Sequence, residues 1–286
     1  MTMRWLLALA GALALAGCGE PDRDWPEPSP ALWEVTGLGG ERGWLFGTIH
    51  SLPEGAEWRT ATVDDAFARS SLLVVEVAEL GQADKAAAVF RRLSTTPGLP
   101  PLTQRVPPDD RPALAAFLDR AEMDEDAFSD TESWGAALLL ANAVRRSDSG
   151  NGVDRALIAE AQRVEGLESL EDQYGMFDRL PALEQAELLT GLAADAEGDF
   201  EDRRVIAWLT GDMVALERDS TAGILADPEL REALQLARNR AWALRVAALL
   251  KRGERPFVAV GAAHMWGDEG LPALLAAKGF KVRRVQ

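Results

Sequence analysis

Trp44-Leu45-Phe46-Gly47-Thr48-Ile49-His50 runs apolar until a glycine stops it, and a histidine follows three residues later. Near the other end of the chain, Phe257-Val258-Ala259-Val260-Gly261-Ala262-Ala263-His264 repeats the pattern. These are the only 2 histidines among 286 residues. Short runs that are apolar at every position read as strands covered on both faces, as in sheets with parallel members. A strand that ends at glycine lets the backbone turn sharply and approach a ligand closely, and open sheets bind their ligands beyond the strand ends. Imidazole is the commonest metal ligand and a frequent acid or base near neutral pH, which makes His50 and His264 candidate site residues.

A third run, Leu72-Leu73-Val74-Val75-Glu76-Val77, is apolar except at Glu76. A carboxylate in a buried strand is costly unless it is paired or bound to a cation, so Glu76 joins the candidates. Its structural alternative is a buried ion pair with one of the chain's arginines. Glu79 would point to the opposite face of a continued strand and is only a reserve.

Around these runs the chain divides simply. Ala31 to Thr36 and Trp44 to Gly47 form a hairpin through Gly37, Gly39, Gly40 and Gly43, and Thr60 to Arg69 is a helix. From Gln82 to about Leu250 the periodicity is mainly helical, broken by the prolines between Pro97 and Pro108. Within that segment Trp134 to Val144 is an apolar helix, Arg155 to Arg163 is helical, Gly166 to Glu171 is a short strand entering a helix, and Asp227 to Lys251 is one long helix. Gly267 to Lys278 is helical, and Phe280 to Val285 is a closing strand. The fold class is therefore α/β (α+β): a mixed central sheet built from N- and C-terminal strands, with a large helical middle segment packed on it. Trp44 to Gly47, Leu72 to Val77 and Phe257 to Val260 should be neighbours in that sheet.

The first residues read as an address. Arg4 precedes the apolar stretch Trp5 to Ala16, and Leu15-Ala16-Gly17-Cys18 matches a bacterial lipobox. Residues 1–17 are then a signal peptide and Cys18 the lipidated first residue of the mature chain. Residues 18–30, with Pro21, Pro26, Pro28 and Pro30, form a tether, and 31–286 is one domain. Gly19 after the cysteine, where aspartate would retain a lipoprotein in the inner membrane, indicates the periplasmic side of the outer membrane. Cys18 is the only cysteine, so no disulfide supports the fold. Removing residues 1–17, whose only charge is Arg4, takes the formal charge from -16 to -17. So acidic a chain does not suit nucleic acid, and its membrane contact is expected through acyl chains.

The two Gly-x-x-His motifs, the Val74-Val75-Glu76-Val77 strand, Gly152-Val153-Asp154 and the stretch from Val260 to Gly270 together resemble the TraB/GumN family, which is related to the Tiki metalloproteases. The resemblance runs from about Leu32 to Val285. It extends to Arg238-Asn239-Arg240 with Trp242, and so implies that Arg238 and Asn239 face the site, whereas spacing alone reads them as a solvated turn of helix. Asp154 reads equally as an ordinary acid in a first helical turn and as a residue that orients a ligand.

Two strand-end histidines and one strand carboxylate make a set of three protein ligands for a divalent metal, with a position left for water. Nitrogen and oxygen donors without thiolate do not separate Mn, Co and Zn, and the Tiki relatives imply Mn or Co. Glu76 serves as ligand or as general base; spacing does not decide which. Asp154, Arg238 and Asn239 would orient the ligands or a developing oxyanion. There is no P-loop, GxGxxG, CxxC or serine nucleophile elbow. The expected function is a metal-dependent, peptidase-like hydrolase of the cell envelope. The alternatives are a non-catalytic lipoprotein that binds a peptide or polysaccharide, and a structural envelope protein whose histidines satisfy core hydrogen bonds.

Overall fold

The computed structural model describes residues 24–145, 151–195 and 200–286. Cys18 and the signal segment lie outside them. The chain opens with the hairpin β1 (Leu32–Thr36) and β2 (Arg42–Thr48), followed by α1 (Ala61–Ala68), β3 (Leu72–Val77), α2 (Ala83–Ser94), α3 (Arg111–Ala121) and α4 (Ser133–Ala143). Then come α5 (Val153–Glu160), β4 (Val164–Glu168), α6 (Leu170–Asp178), α7 (Ala182–Asp195), α8 (Phe200–Leu209), α9 (Met213–Ala222), α10 (Pro228–Arg231) and α11 (Ala237–Lys251). β5 (Pro256–Gly261), α12 (Leu271–Ala277) and β6 (Lys281–Arg284) close it.

The sheet has six strands in the order β4-β3-β5-β2-β1-β6. β2, β3, β4 and β5 run parallel, whereas the β1 pairings with β2 and β6 are antiparallel. The sheet is therefore mixed, and the three apolar runs sit side by side at its centre, as their two-faced hydrophobicity requires. Alternate residues serve opposite faces. Trp44, Phe46, Leu73, Val75, Phe257 and Ala259 pack with Trp58, Leu157 and Trp208 on one side, and Leu45, Leu72, Val74, Val258 and Val260 pack with Trp242, Val246 and Leu271 on the other. A separate apolar cluster joins α3, α4 and α7 around Phe117, Trp134 and Leu189.

Several elements differ from their sequence reading. The helix expected from Asp227 to Lys251 is interrupted by a π-helical stretch, Glu232–Leu236. The helix expected from Gly267 is confined to Leu271–Ala277, because Gly267 takes a left-handed turn at φ 75°. α5 begins at Val153 and ends at Glu160, earlier at both ends than its periodicity indicated. The proline-rich segment is docked from Trp25 onward, since Trp25 packs against the core and the Ser29 N–H donates to the Leu209 carbonyl at 2.6 Å. Among the described residues, no helix is long and apolar enough to cross a membrane.

Candidate functional site

Because β2, β3, β4 and β5 are parallel, their carboxyl ends share one edge of the sheet. Thr48 pairs with Gly261 in the register of β2 and β5, so the two Gly-x-x-His turns emerge next to each other. Gly47 makes their contact possible. A Cβ there would stand 3.2 Å from the Ala262 Cα and 3.3 Å from the Met265 Cγ, so a side chain would press on the second turn. The Trp208 indole N–H holds the Gly47 carbonyl at 2.7 Å.

Each histidine has its Nδ1 fixed by a different partner. Asp154 Oδ2 accepts from His50 Nδ1 at 2.8 Å, while its Oδ1 accepts from the Thr48 hydroxyl at 2.7 Å. The Val153 N–H also donates to the Ile49 carbonyl at 3.1 Å, which ties the start of α5 to the first turn. Asp154 thus does more than favour the helix dipole. On the other side, Asn239 donates through Nδ2 to the Glu269 carbonyl at 2.8 Å, so its Oδ1 faces and accepts from His264 Nδ1 at 2.6 Å. Both Nε2 atoms are left toward the site, the arrangement that orients ligating imidazoles.

Glu76 lies between them. The Gly261 N–H donates to its Oε1 at 2.8 Å, and Arg238 Nη2 donates to its Oε2 at 2.8 Å. The buried ion pair weighed for Glu76 therefore exists, and one carboxylate oxygen remains on the side of the histidines. His264 Nε2 is 3.8 Å from that oxygen. A Cβ built on Gly261 would stand 3.2 Å from Glu76 Oε1, 3.4 Å from His50 Nε2 and 3.8 Å from His264 Cδ2. The three side chains are thus gathered around one small volume, and the imidazoles are no farther apart than the last two distances added.

The electrostatics separate the two rings. Desolvation lowers the His50 pKa, but the Asp154 carboxylate more than reverses this and the value is raised to about 9. The ring is a protonated partner of Asp154 at neutral pH, although its side chain remains 59% exposed. Desolvation dominates at His264, with Arg238 adding to it, and the pKa falls to about 3. Desolvation would raise the Glu76 pKa, yet Arg238 and the two histidines outweigh it and bring it down to about 2. A carboxylate, a neutral imidazole and an imidazolium therefore face one another.

The donors fit a divalent cation in kind. His50 Nε2, a Glu76 carboxylate oxygen and the Cδ2 edge of the His264 ring surround the space that a Cβ at Gly261 would fill, and each side chain is held by a second group. In spacing they fall short: among the described residues, no set of three His, Cys, Asp or Glu side chains stands close enough to hold a metal as placed. His50, 59% exposed against 6% for His264 and 9% for Glu76, is the least enclosed of the three.

Asn239 is fully buried and the Arg238 side chain is only 12% exposed, so the spacing-only reading of a solvated turn is corrected. Glu79 lies outside the cluster and pairs with Lys85 at 3.1 Å. Sequence reasoning missed Glu168, at the end of β4, whose carboxylate accepts from Arg238 Nε at 2.9 Å and from Arg238 Nη2 at 3.0 Å. Its signal was available: it is a carboxylate ending a short strand, as Glu76 nearly is. The site opens into a cavity of about 360 Å³ whose walls include Leu138, Met176, Phe177, Leu188, Leu216 and Ile224.

No curated protein and no solved structure matches the chain. The sequence profile of the TraB/PrgY/gumN family matches residues 31–284, which takes in both Gly-x-x-His turns, the Glu76 strand and the Arg238-Asn239 helix. The chain belongs to the TraB/PrgY/gumN family.

Proposed function

We propose that this protein is a divalent-metal-dependent hydrolase of peptidase type, lipid-anchored through Cys18 on the periplasmic side of the outer membrane. The observation that carries this reading is the gathering of His50 Nε2, Glu76 Oε1 and His264 around Gly261, at the mouth of an apolar cavity. His50, Glu76 and His264 would hold the cation. When bound, it supplies positive charge to a scissile carbonyl and acidifies water. The chain's own residues do the rest: Asp154 and Asn239 hold the imidazoles with Nε2 inward, Arg238 holds Glu76 by one oxygen, and the cavity seats the substrate beside them.

The cavity suits a peptide: Leu138, Met176, Phe177, Leu188 and Ile224 accept an apolar side chain, and Gln173, Asp219, Ser220 and Gln235 on the same walls offer polar partners to a backbone. A second reading, a metal-free peptide-binding lipoprotein, draws on the Arg238–Glu76 pair, which already satisfies part of the carboxylate's charge. Elemental analysis of the purified domain separates the two. About one equivalent of Mn, Co or Zn should be retained, as expected of a mononuclear site. Chelation should stop peptide cleavage and re-addition of the metal restore it, with His50→Ala, Glu76→Ala and His264→Ala each folded but without metal. Peptide binding indifferent to chelator and to all three substitutions would favour the second reading.

A further inference from the structure

We propose that Glu168 is a positioning residue: it limits the Arg238 guanidinium to Glu76 Oε2 and so leaves Glu76 Oε1 and His264 Nε2 to a cation. The inference rests on the metal-dependent reading above and assigns a role to a residue outside the expected ligands.

Arg238 is an awkward neighbour for a metal centre. A guanidinium has five N–H donors and no protonation state in which it stops competing for lone pairs. Four of the five are spent on Glu168, Glu76 and the Leu234 carbonyl, which accepts from Nη1 at 3.0 Å. Nη1 also stands 3.5 Å from His264 Nε2, the ring nitrogen that faces the site. A small rotation would close that distance or bring a second N–H onto Glu76 Oε1, and either would block a donor and set a positive charge against an incoming dication.

Glu168 opposes that rotation. It meets Arg238 as a fork, with two bonds against the single bond to Glu76, and bidentate geometry resists turning where a single contact does not. The fork is itself fixed. The Trp242 indole N–H donates to Glu168 Oε1 at 3.0 Å, and the same Trp242 ring lies 4.4 Å from the guanidinium carbon. Gly166 lets β4 close on the end of β3, since a Cβ there would sit 2.9 Å from the Ala78 amide nitrogen. The charges reach the same result. One guanidinium between two carboxylates leaves one negative charge uncompensated, and Glu76 is the member that faces the histidines.

The test is a titration of the purified domain with Mn²⁺, Co²⁺ or Zn²⁺ alone, followed calorimetrically, in wild type, Glu168→Gln, Arg238→Gln and the double variant. Glutamine keeps the shape and an acceptor for Trp242 but loses the charge. Glu168→Gln should weaken metal binding at least about tenfold, the usual effect of losing a group that supports a ligand. In the Arg238→Gln background the same change should matter less than about twofold, because no guanidinium remains to turn. An equal loss in both backgrounds, or none in either, overturns the proposal and leaves Glu168 a strut between β4 and α11. If Glu168→Gln does not fold, Glu168→Asp, which keeps the charge and shortens the fork, should give an intermediate loss that also vanishes without Arg238; a loss that persists overturns the proposal equally. A wild type that takes up none of the three metals defeats the metal-dependent reading and this inference with it. A wild type that binds, beside an unaffected Glu168→Gln, defeats this inference alone.

Discussion

His50 and His264 leave their strands by the same glycine step, yet one ring is charged at neutral pH and the other is neutral. The difference follows from what each Nδ1 meets: an ionised Asp154 in one case, a neutral Asn239 amide beside the Arg238 charge in the other. Stability should report it. His264 has a pKa lowered from 6.5 to about 3, so between those values the unfolded chain binds a proton that the folded chain refuses. Stability from this group is present above pH 6.5 and declines as pH falls, by up to about 1.4 kcal/mol per pH unit. His50, raised to about 9, contributes fully everywhere below 6.5 and is flat in this window. Glu76, lowered from 4.5 to about 2, begins to lose its contribution only below 4.5. Between pH 6.5 and 4.5, in the presence of chelator, His264→Gln should therefore flatten the fall in urea midpoint seen for wild type. Parallel curves for the two proteins would show that His264 is not held neutral. That two histidines face a strand carboxylate could be read from the sequence, because the glycine step and the interrupted apolar run are local patterns. Their unequal protonation could not, because the partners lie 104 and 25 residues away.

At the level of elements, the buried strands were the most readable feature. Each is apolar at successive positions, which only a strand covered on both faces tolerates over so short a length. Helix α11 was readable as a helix, and Asn239, Trp242, Ala243, Val246, Leu249 and Leu250 form one buried face at helical spacing. That this face meets His264 was not readable, because the contact is non-local. Glu168 could be noticed as a carboxylate ending a short strand, but its role could not, since that depends on the pairing of β4 with β3, which is non-local. The two motif glycines offer a test at this scale. Gly261 has φ -47° and ψ 138°, which alanine adopts freely, and its added methyl would press on Glu76 Oε1 and His50 Nε2 rather than on backbone. Gly47→Ala instead drives a methyl against the Ala262 backbone. Gly261→Ala should thus abolish metal uptake with little change in thermal midpoint. Gly47→Ala should cost about 1–3 kcal/mol of stability by overpacking. Calorimetry of both variants, scanning and titrating, checks the contrast, and equal stability losses would mean that the space at Gly261 is structural.

For the whole molecule, the proposed lipid anchor raises the question of how so acidic a domain would stay at a membrane. Removal of residues 1–17 with their single arginine would leave a formal charge of -17, which an anionic lipid surface would repel. The docked Trp25 adds a constraint that composition did not reveal. A segment rich in proline reads as a free tether, but an indole within it finds the core and shortens it. From Cys18 to Trp25 the chain reaches at most about 25 Å, so an acylated Cys18 would hold the domain close to the bilayer, with its charge opposing the approach. Attachment would then rest on acyl chains alone, each buried methylene contributing about 0.8 kcal/mol, and on nothing that salt could screen. Wild type should stay with the membrane fraction at low and at high ionic strength and leave it only in detergent. Cys18→Ser should appear in the soluble periplasmic fraction under both salt conditions, with its metal content unchanged. A Cys18→Ser protein that remains on membranes at low salt and leaves at high salt would place the attachment on the protein surface instead, and one that remains under both would leave the lipobox without a function.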